Sequence, residues 1–238
     1  VGGFVVEFIG ADETISVASA MDYSGTVFYT PGAIESMQNA LIGFIDNLGA
    51  NDEAEVIKFA ELVEVVQAFT SDQALLRQNI LAAWQEGTET LLYDAVVRAV
   101  ADTSARASDR RAVIVMTDGR DTISTATLPE VITAAQQANV PIFTVGVALD
   151  LIVDPVEAAE ARGALEDMAN QTGGQFYEAA TFDNLANIYA QLSAVLFANQ
   201  YKITFTGPEL SGAANLTVQA TSGALTGDDT RAFAAACP

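Results

Sequence analysis

Five oxygen-bearing side chains stand at three places where an apolar segment adjoins a loop. Asp22, Ser24 and Thr26 lie in Asp22-Tyr23-Ser24-Gly25-Thr26, after the run Thr14 to Met21. Asp118 follows Ala112-Val113-Ile114-Val115-Met116-Thr117, and Thr90 sits in Gly87-Thr88-Glu89-Thr90, just ahead of a helical run that begins near Leu92. In an open α/β sheet, ligands gather beyond the carboxyl ends of the strands. Two carboxylates and three hydroxyls meeting there, in a chain without His, form an all-oxygen donor set. Such a set suits a hard cation, Mg²⁺ first, with Mn²⁺ or Ca²⁺ as alternatives. Only part of a six-coordinate shell would come from the protein, and water would fill the rest.

Strands and helices in alternation are needed to bring those loops together. Phe4 to Ile9 reads as a strand ended by Gly10. Ile15 to Ala20 is apolar or small on both faces, as a buried parallel strand should be. Pro31 to Leu48 reads as an amphipathic helix with Pro at its start. Glu55 to Ala60 is a strand, and Val63 to Phe69 follows too soon for a crossover helix, so it should pair antiparallel at an edge. Ser71-Asp72 caps a helix to about Trp84, and Leu92 to Ala101 is another, followed by a polar connection. From Ala112 the rhythm is regular: strand to Thr117, helix Leu128 to Ala138, strand Ile142 to Val147, helix Val156 to Gln171, strand Gln175 to Glu178, helix Phe182 to Ala198. Asn139 and Gly173 fall just past helix ends, where left-handed residues belong. The expected fold is α/β: a doubly wound, mostly parallel sheet with helices on both faces over residues 13–199. At Tyr201 the rhythm changes: Tyr201 to Thr206 and Leu216 to Ala220 alternate apolar with polar residues. Residues 1–12 and 200–238 are therefore expected to form a small antiparallel β annex or flanking strands.

The ordered motifs resemble the von Willebrand factor A family, whose Rossmann-like domain carries a metal-ion-dependent adhesion site. In that family a D-x-S-x-S motif, a later Thr and a later Asp hold the metal. Asp22, Ser24 and Thr26 match the first motif, with Thr in place of its last Ser; Thr90 in Thr90-Leu91-Leu92-Tyr93-Asp94-Ala95 and Asp118 in Met116-Thr117-Asp118-Gly119 match the others. Val140 to Val147 looks like the family's fifth strand, and Thr172-Gly173-Gly174-Gln175-Phe176-Tyr177 like its turn into the last strand. The resemblance implies a non-catalytic recognition or adhesion module. Its metal keeps a position open for an acidic side chain of a protein partner. It also implies a place outside the cytoplasm: extracellular, on the cell surface or periplasmic.

Charge and composition narrow the alternatives. Lys and Arg total 10 against 31 Asp and Glu, a formal net charge of −21. Such a field repels nucleic acid and anionic membrane surfaces. No apolar run reaches the ~18 residues of a membrane span, so no membrane insertion is expected within this chain. The start, Val1-Gly2-Gly3-Phe4, is neither a signal peptide nor an initiator, and a longer precursor is expected. Cys237 is the single cysteine, so no internal disulfide is expected, and with no His and only this one Cys, zinc is expected to be excluded.

Several neighbours of the candidate ligands have more ordinary readings. Asp121 suits a turn, a cap or a carboxylate behind the ligands, and Asp94 a helix-end acceptor. Glu89 is expected to be solvated, Trp84 and Tyr93 to serve packing, and Tyr29 to be available to a partner. A rival reading takes Asp22-Tyr23-Ser24-Gly25-Thr26-Val27 as a degenerate D-x-D-G-T-V motif of haloacid-dehalogenase-type phosphatases. There the second Asp is a general acid, a role Ser24 cannot fill. That chemistry also needs a well-placed lysine, and Lys58 and Lys202 are the only candidates. It leaves Thr90 without a role. A third reading keeps the metal but makes it purely structural.

Overall fold

The computed structural model describes residues 4–9, 13–84, 87–108, 110–152, 154–198, 200–205, 212–222 and 225–235. The chain divides into two units, Gly10–Ala198 and Val1–Ile9 with Asn199–Pro238. In the first, a six-stranded sheet has the order β4-β3-β2-β5-β6-β7. Its strands are β2 (Ile15–Asp22), β3 (Glu53–Phe59), β4 (Val63–Thr70), β5 (Arg110–Thr117), β6 (Ile142–Val147) and β7 (Phe176–Ala179). All neighbours pair in parallel except β3 with β4, the antiparallel edge expected from the short turn between them.

Every residue of β2 is buried, because the strand faces helices on both sides. Ile15, Val17 and Met21 join the core beneath α2 (Ala33–Ile45), α3 (Gln73–Leu81) and α7 (Leu185–Leu196). Ala18 and Ala20 face α4 (Leu92–Ser104), α5 (Leu128–Ala138) and α6 (Pro155–Thr172). The small residues on that side let α4 approach the middle of the sheet. Asn139 and Gly173 have φ of 51° and 85°, the left-handed helix ends read from the sequence. A one-turn helix, α1 (Gly25–Tyr29), precedes α2, and α2 starts two residues later than Pro31 because Gly32, at φ 78°, caps it. Helix α3 stops at Leu81, short of Trp84, whereas α4 runs on to Ser104.

In the second unit, β1 (Phe4–Ile9) pairs antiparallel with β8 (Gln200–Phe205), and β9 (Gly212–Ser222) with β10 (Leu225–Ala235). The described strands of the two termini form two separate two-stranded sheets in place of one expected annex, and β10 lies beyond the expected strands. Thr206, the expected end of its strand, and Cys237 lie outside the described residues. Among the described residues no helix is long and apolar enough to cross a membrane.

Candidate metal centre

β2 stops at Asp22, and the chain turns at Tyr23, whose N–H still donates to the Phe59 carbonyl at 2.8 Å. Parallel pairing of Met21 with Met116 puts Asp22 beside Thr117, the last residue of β5. Asp22 is fully buried there. Its Oδ1 accepts the Ser24 N–H at 2.7 Å, and its Oδ2 accepts the Thr117 hydroxyl. Thr117 was not singled out in the sequence; a hydroxyl residue closing the strand next to an Asp-bearing strand end was the available signal. Ser24 occupies the N-cap position of α1, yet its hydroxyl makes no capping bond and lies instead against the Asp22 carboxylate. Thr26 is exposed one residue into α1 and donates to Asp118 Oδ1 at 2.9 Å, linking the loops after β2 and β5.

Thr90 arrives on the segment between α3 and α4. Gly87 lets that segment close on the end of β3, since a Cβ there would lie 2.5 Å from the Ala60 Cβ. The Leu91 N–H then donates to the Ala60 carbonyl at 2.9 Å. Thr90 is tied to the loop after β5: its N–H donates to Thr122 Oγ1 at 2.8 Å, and the Thr122 N–H donates to its carbonyl at 3.0 Å. Asp121 accepts the Tyr93 N–H at 3.1 Å and the Ser124 N–H at 3.2 Å, the cap role expected of it. Asp94 accepts the Thr125 and Ala126 N–H groups at 3.1 and 2.8 Å. It is an acceptor, as expected, but for the facing loop rather than its own helix end.

Ser24, Thr26, Thr90 and Asp118 line one cavity of about 250 Å³, with Arg120 and Glu157 at its side, and Asp22 lies behind Ser24. Burial pushes the Asp118 carboxyl up to about 7, and the Asp22 charge adds to the rise. Burial raises Asp22 as well, against the hydroxyls of Thr117 and Ser24 and the Ser24 amide. Neither carboxylate has an ion-pair partner among the described residues. Arg120 is held by Glu157 at 2.5 Å and Glu160 at 3.6 Å. Two neighbouring carboxylates with hydroxyls around them, and the nearby Arg120 engaged by other acids, are a donor set that a hard divalent cation fits.

The remaining side chains take plain roles. Trp84 is half-buried, donates to Glu64 at 2.7 Å and meets the Tyr23 ring edge-on at 5.5 Å. Tyr93 packs against the core under α4, Glu89 is half-buried rather than fully solvated, and Tyr29 is exposed. Lys58 is buried and donates to the Ile80 and Ala82 carbonyls at 3.0 and 2.7 Å, with its ammonium 5.0 Å from the Tyr23 ring centre. Burial lowers its pKa to about 8, offset in part by Glu64. Its amine serves the end of α3 and does not line the cavity, so the phosphatase reading has no lysine there.

The fold has solved counterparts. Proximal thread matrix protein 1 from the mussel byssus superposes with a TM-score of 0.67 at 16% identity, over 85% of this chain and 51% of that one. This chain thus spans about half of the mussel protein. A further structure of it is described with a zinc occupied MIDAS motif, at TM-score 0.68 and 16% identity, over 85% of this chain and 50% of that one. The vWF domain of the type V pili tip protein Mfa5 from Porphyromonas gingivalis gives 0.64 at 13% identity, over 77% and 95%. No curated protein sequence matches the chain. A family model, the von Willebrand factor type A domain, matches residues 17–191, well over half of the sequence, and the chain belongs to that family.

Proposed function

We propose that this chain is a non-catalytic recognition module that captures an acidic side chain of a protein partner through a divalent cation, Mg²⁺ or Mn²⁺ before Ca²⁺. Asp22, Ser24, Thr26, Thr90 and Asp118 would hold the ion, some through water, and leave one position for the partner's carboxylate. The observation that carries this reading is the buried Asp22 and half-buried Asp118, neither with an ion-pair partner among the described residues, beside a cavity lined by the hydroxyl residues Ser24, Thr26 and Thr90. A cation there relieves the repulsion and, with only two carboxylates beneath it, still attracts an anion despite the net charge of −21. Among the described residues the cavity is lined by no His, Cys or Lys, so no His-activated hydroxyl, thiolate or amine nucleophile is offered there. Family membership and the named neighbours in byssus and pili support a place outside the cytoplasm. The mussel protein's zinc-occupied motif brings zinc in as a competitor; a lack of His and Cys is not enough to exclude it at a site of this kind.

Calorimetry with Mg²⁺, Mn²⁺ and Zn²⁺ on the wild type and Asp118→Ala tests the ion, and a pull-down with and without EDTA tests the capture. Equal cation binding by both proteins would put the metal elsewhere. A partner retained undiminished in EDTA would remove the metal from the binding surface.

A further inference from the structure

A second cavity, of about 240 Å³, adjoins the first and shares Thr26, Asp118 and Ile152 with it. Its own wall is apolar: Ala148, Leu151 and Phe182 complete it, with Thr30 at one side. The wall depends on an unusual turn. Ala148, just after β6, has φ 53° and ψ 29°, a left-handed conformation that a residue with a Cβ rarely adopts. It is held there by its N–H bond to the Ala179 carbonyl and by the Leu151 N–H on its own carbonyl, both at 2.8 Å. The turn sends Leu149 into the core and leaves Leu151 74% exposed.

Leu151 is not an isolated case. Of the nine large apolar side chains exposed among the described residues, six stand at the carboxyl end of the sheet: Phe28, Tyr29, Leu62, Ile123, Leu151 and Val156. Single exposed apolar residues are ordinary, but a concentration beside a polar cavity marks a contact surface.

We propose that the second cavity receives an apolar side chain, of leucine or phenylalanine size, that flanks the metal-bound acidic residue in the partner's chain. This rests on the cation-and-carboxylate reading of the first cavity. Continuity of the two cavities through Thr26, Asp118 and Ile152 puts the two subsites within reach of neighbouring positions of one extended segment. An apolar cavity of about 150 Å³ already holds a benzene ring, so the volume is sufficient. The wall selects the class of side chain. A second acidic group would meet Asp118 and the negative field, and a long polar one would lose water against Leu151, Ile152 and Phe182 without a matching partner.

The test uses blocked glycine hexapeptides carrying one glutamate, with leucine placed in turn at each flanking position, titrated against the full chain in Mn²⁺. In one register leucine should tighten binding about tenfold over the all-glycine flank. Leu151→Ser should abolish that gain and leave both the cation affinity and the glycine-flanked peptide unchanged. Leu151 is solvent-exposed, so the substitution spares the core, and Leu81→Ser, at an exposed position on α3, should change nothing. Leucine without effect in every register, or a gain that survives Leu151→Ser, would overturn the pocket while leaving the metal reading intact. Absent cation binding, or peptide binding undiminished in EDTA, would overturn the metal reading and the pocket with it.

Discussion

At the amino end of the sheet, both oxygens of Glu53 accept from Arg106 at 2.6 Å, and one also takes the Ser16 hydroxyl at 2.6 Å. Burial alone would raise its pKa, but these bonds outweigh burial and hold the carboxyl below its usual value. Beside it, Asp52 accepts the Ile15 N–H at 3.0 Å. At the other end, Asp22 and Asp118 accept from an amide and hydroxyls but pair with no basic side chain among the described residues, and their carboxyls are pushed up. One end of the sheet is closed by its own charges. The other has no such pairing for its two carboxylates among the described residues, and that is the difference a bound cation would remove.

The largest expected effect tests the open end. Asp118→Ala should weaken Mn²⁺ binding at least about 100-fold by calorimetry, because an outer partner alone is worth roughly 10–100-fold. Thr90→Ala should weaken it less and keep the circular dichroism of the fold. At the closed end, Glu53→Ala should lower stability by about 1 kcal/mol or less in urea titrations, since Arg106 is solvent-exposed and loses a partner that water can replace, and leave cation affinity untouched. If Glu53→Ala also abolished cation binding, the contrast between the ends would collapse. Asp118→Asn should act in the opposite sense and raise the metal-free melting temperature at pH 8, by about 2–4 °C for each kcal/mol relieved. The sign follows from linkage: a carboxyl raised from 3.8 to about 7 binds its proton more tightly in the folded state. Metal-free wild type should therefore lose stability as pH rises through about 4 to 7, and added Mg²⁺ should restore it at the upper end. The smallest change is expected from Thr26→Ser, which keeps the oxygen and removes a methyl from an exposed side chain; a shift in cation affinity of under about threefold should be measured.

The alternating core was legible because its signals are local. A strand buried on both faces, as Ile15 to Met21 is, needs an unbroken run of apolar or small residues, and Pro, Gly and Asn punctuate the helices between strands. Helix α1 was missed because five residues give no period to read. Strand β10 was missed because Leu225 to Ala235 contains Gly227, Asp228 and Asp229, residues that strands disfavour, and only pairing with β9 fixes it. The five candidate ligands could be named from motif order, and four of them line one cavity, with the fifth buried behind. The Thr117 bond to Asp22 and the reach of Asp94 and Asp121 between α4 and the loop after β5 were not legible. Each joins positions 28 to 95 residues apart, which spacing within a motif cannot reveal.

The lattice of bonds between the start of α4 and residues 121–126 has a consequence for how an ion would be held. Thr90 and Asp118 stand at the two ends of one stiffened clip, fastened by Asp94, Asp121 and Thr122. Ser24 and Thr26 share the single turn of α1, anchored on Asp22. Five donor groups therefore amount to two rigid pieces, already bridged by the Thr26 bond to Asp118. A cation settling there would have to order one joint instead of five independent side chains. Most of the entropy of assembling its shell has been lost beforehand, in folding.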